Sequence, residues 1–293
     1  MNALNLDPCD GMKKFDALAE VVVKRLNQPD IVALQEIQDN DGSEQSGITS
    51  ANKTLQMLSE AIVRTGGERY AVLDNPFIGD DTNGGQPGGN IRCAFLYAAD
   101  RVKLVDVDTV VNSTEQRRNR QNAFYNSRLP LVGRFASVAN GEVLTVINVH
   151  FSSKGGSAPI FGRVQPVEEL QDNNVVNKGT DERVRQAQAV MRFVSEQRDE
   201  KVMVVGDFNE FEFNAALGVF KLGGMRVLTE DKVDRKDRYS FVFEGQGQML
   251  DHVVVSSGLA ERSLLQIVHC NAEFDERNRA SDHEPLLASI SLC

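Results

Sequence analysis

Tryptophan is absent and aromatic residues make up only 6% of the 293 residues. The chain is therefore poor in the rings that belt membrane interfaces, which argues against a lipid-acting enzyme with exposed aromatic loops. Its longest apolar runs, such as the one ending at Val205, are strand-sized and bounded by charge, far short of the roughly 20 residues of a bilayer span. The cysteines Cys9, Cys93, Cys270 and Cys293 show no C-x-x-C or other zinc spacing, so a structural zinc knot is not expected, while disulfide pairing stays open. Net positive charge is missing as well. The formal charge of -10 argues against a module that grips polyanions with a basic face. It argues less against a metal enzyme, because clustered carboxylates inflate the acidic count and a bound cation reverses the local field.

What is present is ordinary for a globular chain: 41% hydrophobic and 25% charged residues, no repeats and no linkers, hence one domain over residues 1–293. The first residues carry no basic stretch leading into an apolar one. Met1 stands directly before what reads as the first core strand. We therefore expect a secretion signal to have been removed and the protein to be secreted or periplasmic, with a cytoplasmic location left open.

Phe15, Leu18, Ala19, Val22, Val23 and Leu26 recur at helical spacing over residues 11–27, with Asp10 as a cap and Pro29 beyond. A strand over residues 31–36, a helix carrying Leu55, Leu58 and Ile62, and a strand over residues 70–73 follow. Residues 75–90 form a long Gly/Asn/Asp-rich loop. Strands are predicted over residues 91–97, 102–111, 130–138 and 143–150, with Arg117, Arg118, Arg120 and Arg128 in the most basic stretch between the second and third. A second long loop runs from residue 152 to about 180, then a helix on Val184, Ala187, Val190, Met191 and Val194, then strands over residues 201–206, 239–243, 249–256 and 286–292. Many strands with few helices, those lying outside them, predict an α/β (α+β) fold of two packed sheets flanked by helices.

Four apolar strand segments end in polar side chains: Ile31-Val-Ala-Leu-Gln-Glu36, Val146-Ile-Asn-Val-His150, Val202-Met-Val-Val-Gly-Asp-Phe-Asn209 and Ala280-Ser-Asp-His283. Strand ends gather at one rim of a sheet, so such residues can converge on one pocket. Attack of water on a phosphodiester suits the set. Glu36, Asp282 and the Asn2 amide could ligate a hard cation. His283 or Asp207 could deprotonate water, and His150 and Asn209 could donate to phosphoryl oxygens. Asp251 is the candidate to orient a histidine base. Arg128 and Lys154, each beside a motif strand, are candidate phosphate contacts.

These segments resemble the endonuclease/exonuclease/phosphatase superfamily, which includes pancreatic-type deoxyribonucleases. The motifs fall in family order over nearly the whole chain: Asn2, Gln35-Glu36, Arg128, Asn148-Val-His150, Gly206-Asp207-Phe-Asn209, Asp251 and Ser281-Asp282-His283. The resemblance implies a four-layer sandwich of two mainly antiparallel sheets flanked by helices, Mg²⁺ or Mn²⁺ at Glu36, and a His283–Asp251 pair. It also implies that Asp207 handles the nucleophilic water and Asn209 the phosphate, with a structural Ca²⁺ as a further candidate ion. Phe151-Ser-Ser-Lys-Gly-Gly156 and the segment from Tyr239 to His252 look most like bacterial extracellular nucleases. His252, where abasic-site enzymes carry Tyr, and Glu210-Phe211, where inositol phosphatases carry Tyr-Arg, disfavour those substrates.

Each motif has a bland counterpart. Alone, Glu36 is a solvated strand end, His150 a satisfied core histidine and Gly206-Asp-Phe-Asn209 a turn. The basic loop alone is a solvated loop. His252 is evenly balanced between a supporting and a packing role, and His269 reads as structural. The expectation is a monomeric nuclease acting on DNA, with RNA open and no membrane partner. A phosphatase or phospholipid-head-group phosphodiesterase on the same scaffold is the alternative, and a non-catalytic binding domain the third reading.

Overall fold

The computed structural model describes residues 1–155, 178–197 and 201–292. Along the first half run β1 (Asn2–Leu6), α1 (Met12–Glu20), β2 (Ile31–Ile37), α2 (Asn52–Arg64), β3 (Ala71–Leu73), β4 (Arg92–Tyr97), β5 (Val102–Asp108), α3 (Ser113–Arg118), β6 (Leu131–Ser137) and β7 (Val143–His150). The second half holds α4 (Lys178–Glu196), β8 (Val202–Asp207), α5 (Ala215–Leu222), β9 (Met225–Val227), α6 (Leu228–Lys232), β10 (Phe241–Phe243), β11 (Gln246–Gln248), β12 (Asp251–Ser256), α7 (Ser257–Ala260), β13 (Ser263–Ile267) and β14 (Leu286–Ile290). One sheet is ordered β1-β2-β4-β3 and the other β5-β6-β7-β8-β12-β9, with β10-β11 and β13-β14 as separate pairs. Only β1 with β2 and β7 with β8 run parallel within these sheets.

Side chains of a strand alternate between faces, and here both faces are buried. On β4, Ala94 and Leu96 join Phe15 and Leu18 of α1 and Leu55 and Leu58 of α2. Cys93 and Phe95 point the other way and meet Phe135, Val146, Met203 and Val253 of the second sheet. On β7, Ile147 and Val149 pack under Val190 of α4 and Phe220 of α5, whereas Leu144 and Val146 enter the inter-sheet core. Three cores thus separate four layers, helix, sheet, sheet, helix. Burial on two faces is why these strands read as near-continuous apolar runs.

Several boundaries move. The strand expected to reach residue 111 ends at Asp108, because Thr109 turns its hydroxyl to Pro130 O (2.7 Å) and Asn112 caps α3 through the Thr114 and Glu115 amides. The first helix stops at Glu20 and continues as one widened turn, Val21–Arg25. Helix α5 was not anticipated. It is short and carries Gly218 mid-helix, a weak local signal, yet Ala216, Leu217 and Phe220 are buried beneath it. Asp10 does not cap α1, whose N-cap is Gly11 without a side-chain bond; with Asp7 it forms a reciprocal capping box on the preceding turn Pro8–Asp10. Residues 156–177, most of the second long loop, lie outside the described residues. Cys9, Cys93 and Cys270 are free thiols, Cys293 is not described, and no described helix is long and apolar enough to cross a membrane.

Candidate active site

The pairing register lines up the first three side chains. His150 ends β7 opposite Asp207 on β8, and Asp207 lies opposite Asp251 on β12, so the three residues sit abreast on adjacent strands about 4.8 Å apart. Gly206 permits this. At φ +133°, a Cβ there would lie 2.0 Å from Val149 O, a contact that only glycine avoids. Beyond Asp207 the chain turns through Asn209 (φ 49°). Asn209 donates its backbone N–H to Asp207 Oδ1 (2.8 Å) and its Nδ2 to Asp207 Oδ2 and Phe151 O (3.2 Å each). The motif is thus a turn, as its bland reading has it, and that turn fixes the Asp207 carboxylate.

His283 arrives from a bridge to Phe241 and places Nδ1 2.7 Å from Asp251 Oδ2. Its segment is braced by the next residue. Glu284 accepts from the backbone N–H groups of Cys270, Asn271 and Ala272 at 2.7–3.0 Å, while Asn271 Nδ2 donates to His283 O at 2.8 Å.

The other sheet supplies Glu36. The pairing of β2 with β4 shifts register between Leu34 and Ile37, and inside this bulge Glu36 takes φ 60°, turning its carboxylate out of the pleat. Asn2 Nδ2 (2.9 Å) and Asn5 N (3.0 Å) hold that carboxylate. His150 Nε2 stands 4.0 Å from Glu36 and 3.6 Å from Asp207. Glu36, His150 and Asp207 form one metal-competent group, and Asp207, Asp251 and His283 a second that shares Asp207. No further group of three such side chains, of the kind a structural Ca²⁺ would use, occurs among the described residues. Across the seam, Asn148 of β7 accepts from Gln35 Nε2 (2.6 Å) and donates to Leu34 O and Ala94 O (2.9 Å each).

Electrostatics separate the titrating groups. Burial, with the Asp251 and Glu36 charges adding to it, pushes the Asp207 carboxyl up to about 7. Burial opposes charge on His283, but Asp251 and Asp207 outweigh it and raise the imidazole to about 10. Burial, aided by Arg128 and His283, holds His150 well below its ordinary value and therefore neutral. Its Nδ1 is buried without a partner; with acceptors facing Nε2, we assign the proton to Nε2. Burial lowers Arg128, countered by Asp207 and Glu36. The Arg128 guanidinium donates to Phe151 O and leaves Nε buried without a partner.

These residues fit a hard divalent cation: two of the three donors in each group are carboxylates, set where burial, with the Asp251 and Glu36 charges adding to it, already disfavours an unaccompanied negative charge on Asp207. Three sequence candidates differ in detail. Asn2 Oδ1 accepts from Leu4 N (2.8 Å), so its amide orients Glu36 rather than presenting an oxygen beside it. Asp282 lies outside both groups and contributes charge to His283. Lys154, expected to face phosphate, is 2.8 Å from Glu210 and 4.2 Å above the Phe211 ring. His252 is buried between Thr229 Oγ1 and Glu210 O (2.8 Å each), a supporting role, and His269 stacks on Tyr239. Sequence reasoning missed Glu210 with Arg183, Glu284, and the roles of Gln35 and Asn148. Polar residues inside apolar strand runs were the available signal.

The geometry agrees with comparisons to known proteins. Among solved structures, an endonuclease/exonuclease/phosphatase from Bacteroides vulgatus is similar at 17% identity and TM-score 0.63, over 99% of this chain and 96% of that one. A humanized D. rerio TDP2 (16%, TM-score 0.58, 99% and 96%) is similar too, as is the mannosyl-6-phosphatase Bt3783 of Bacteroides thetaiotaomicron (14%, TM-score 0.57, 99% and 97%). At these identities the likeness shows the fold. No curated protein sequence matches. The family model described as Endonuclease/Exonuclease/phosphatase family matches residues 1–283, and the chain belongs to that family.

Proposed function

We propose that this protein is a divalent-metal-dependent phosphodiesterase that hydrolyses nucleic acid, DNA foremost, by attack of activated water on phosphorus. The observation that carries the reading is a carboxyl raised to about 7, Asp207, set between a neutral His150 and a charged His283 at the seam of two sheets. Glu36 would hold Mg²⁺ or Mn²⁺, which supplies Lewis-acid charge to the phosphoryl oxygens. Asp207 accepts the proton of the attacking water, its affinity matched to neutral pH. The Nε2–H groups of His150 and His283 and the unpartnered Nε–H of Arg128 donate to the oxygens on which charge builds. Asp251 keeps His283 protonated and aimed. Asn209 holds Asp207 in place rather than competing for its proton, since both its bonds to Asp207 are donated.

Nucleic acid is favoured by the order of motifs from Asn2 to His283 and by the nuclease-like segments after Phe151 and Tyr239. We also read the protein as one secreted or periplasmic domain. A digestion panel tests the function: supercoiled plasmid, linear duplex, single-stranded DNA and RNA, each with Mg²⁺, Mn²⁺ or chelator. Metal-dependent cutting that disappears in Glu36→Ala, Asp207→Ala and His283→Ala is expected. Hydrolysis of a sugar phosphate with every nucleic acid left intact would replace this reading with a phosphatase.

A further inference from the structure

The five residues after the Gly206–Asn209 turn alternate between anchoring and display. Glu210 is fully buried and collects Lys154 Nζ, Arg183 Nε and Asn214 Nδ2, each at 2.8 Å. Arg183 also donates to Ser152 O and Ser153 O, tying this segment to the exit of β7. Phe211 is 6% exposed, but Phe213 is 58% exposed. The two rings lie parallel, 5.3 Å between centroids and 7° between planes, with the Lys154 ammonium 4.2 Å from the Phe211 centroid. A lone exposed apolar residue needs no explanation. This one is different: its ring is held flat against a buried ring that is itself fixed by a buried ion-pair cluster, and the free face is left to solvent.

Phe213 follows Asn209 by four residues, so its Cα lies at most about 14 Å from that of Asn209. That is a span of a few nucleotides from the scissile phosphate. A rigid aromatic face beside a phosphate site suits a flat, π-bearing group, and base stacking on such a ring tolerates any base. We propose that Phe213, backed by Phe211, is a stacking platform for an unpaired nucleobase flanking the cleaved bond. This rests on the nucleic-acid reading above. A base within a duplex has no free face, so the platform gives preference for single-stranded or frayed substrate.

The test uses the full chain and single-stranded oligonucleotides in which one abasic spacer is moved stepwise past the cleavage position. In the unmodified protein, one spacer position is expected to raise KM about tenfold. Phe213→Ala loses this sensitivity, with the effect in KM more than kcat; Phe213→Leu behaves like Ala, because an apolar side chain without a ring cannot stack. Phe213→Trp keeps the sensitivity. As the chain has no other tryptophan, its emission reports stacking directly, and quenching by oligonucleotide in chelator is expected. An unchanged spacer penalty in Phe213→Ala, or rescue by Leu, overturns the platform. So does a blue shift with phosphatidylcholine vesicles and no quenching by oligonucleotide. Quenching without cleavage of any nucleic acid would leave the platform standing and remove the proposed activity.

Discussion

Replacing Asn148 by Ala removes one amide and should disturb both halves of the site. Asn148 is fully buried, and its side chain bonds Gln35, Leu34 O and Ala94 O across the inter-sheet core. The truncation removes the second donor from two carbonyls, which keep their place in the Leu34–Ala94 ladder pair, and weakens the tether of one side-chain amide where water cannot reach. Each of the three buried hydrogen bonds lost is worth roughly 0.5–1.5 kcal/mol, so the sum is on the order of 2–4 kcal/mol. At about 2–4 °C per kcal/mol for a chain of this size, Tm falls by roughly 10 °C. The two carbonyls belong to the Leu34–Ala94 pair, the last before the bulge in which Glu36 takes its positive φ. A loosened bulge lets the carboxylate wander, and Mn²⁺ affinity should drop about 10- to 100-fold, the range for residues that hold ligands in place. Thermal unfolding and Mn²⁺ titration calorimetry measure the two effects. A Gln35→Leu, Asn148→Leu double variant, apolar on both sides, should recover part of the stability without recovering the affinity. If Asn148→Ala melts within about 2 °C of the unmodified protein and binds Mn²⁺ as tightly, the amide does not couple the sheets to Glu36.

Asp251→Asn removes the leading charge that raises His283. His283 should then lose its proton at lower pH, moving the alkaline limb of the activity profile downward. The stability from this pair is present below the unfolded histidine value of about 6.5 and lost as pH rises through about 10, so the variant's unfolding should depend less on pH across that window. Asp207→Asn abolishes activity yet should raise the Tm of metal-free protein at pH 8. A carboxyl raised from 3.8 to about 7 favours the fold below 3.8, and that advantage is lost as pH climbs through 7. Gly206→Ala should give little folded protein, measured as soluble yield and circular dichroism, since its Cβ meets Val149 O at 2.0 Å.

The layers were legible because periodicity and burial agree: strands buried on both faces produce unbroken apolar runs, and α1, α2 and α4 show regular stripes. The candidate positions Glu36, His150 and Asp207 were legible because they stand at or beside the ends of such runs, and His283 because of its place in the ordered motifs rather than any apolar run. What stayed hidden depends on contacts distant in sequence. Helix α5 forms through packing against α4, which no eight-residue window reveals. Lys154 read as a phosphate contact because it neighbours a motif strand, yet Glu210, fifty-six positions away, claims it. Asn2 looked like a ligand, whereas the Leu4 amide takes its oxygen and leaves its nitrogen to orient Glu36.

The buried carboxylates divide by the donors that hold them, and the division follows their chemistry. Glu210 meets two cations, Lys154 and Arg183, which overcome its burial and hold it below the usual range; its charge is spent on fixing the β7 exit and the turn after Asn209. Glu36 and Asp207 are instead held by neutral N–H donors from Asn2, Asn5 and Asn209. Such donors set geometry without neutralising charge, and so leave the field on which a divalent cation depends. A lysine in the place of Asn2 or Asn209 would steady the apo fold by relieving that repulsion, but it would also occupy the charge the cation has to find. Burial first, and the neighbouring Asp251 and Glu36 charges after it, raise Asp207, and the amides around it position the carboxylates without removing the charge that a bound cation would use.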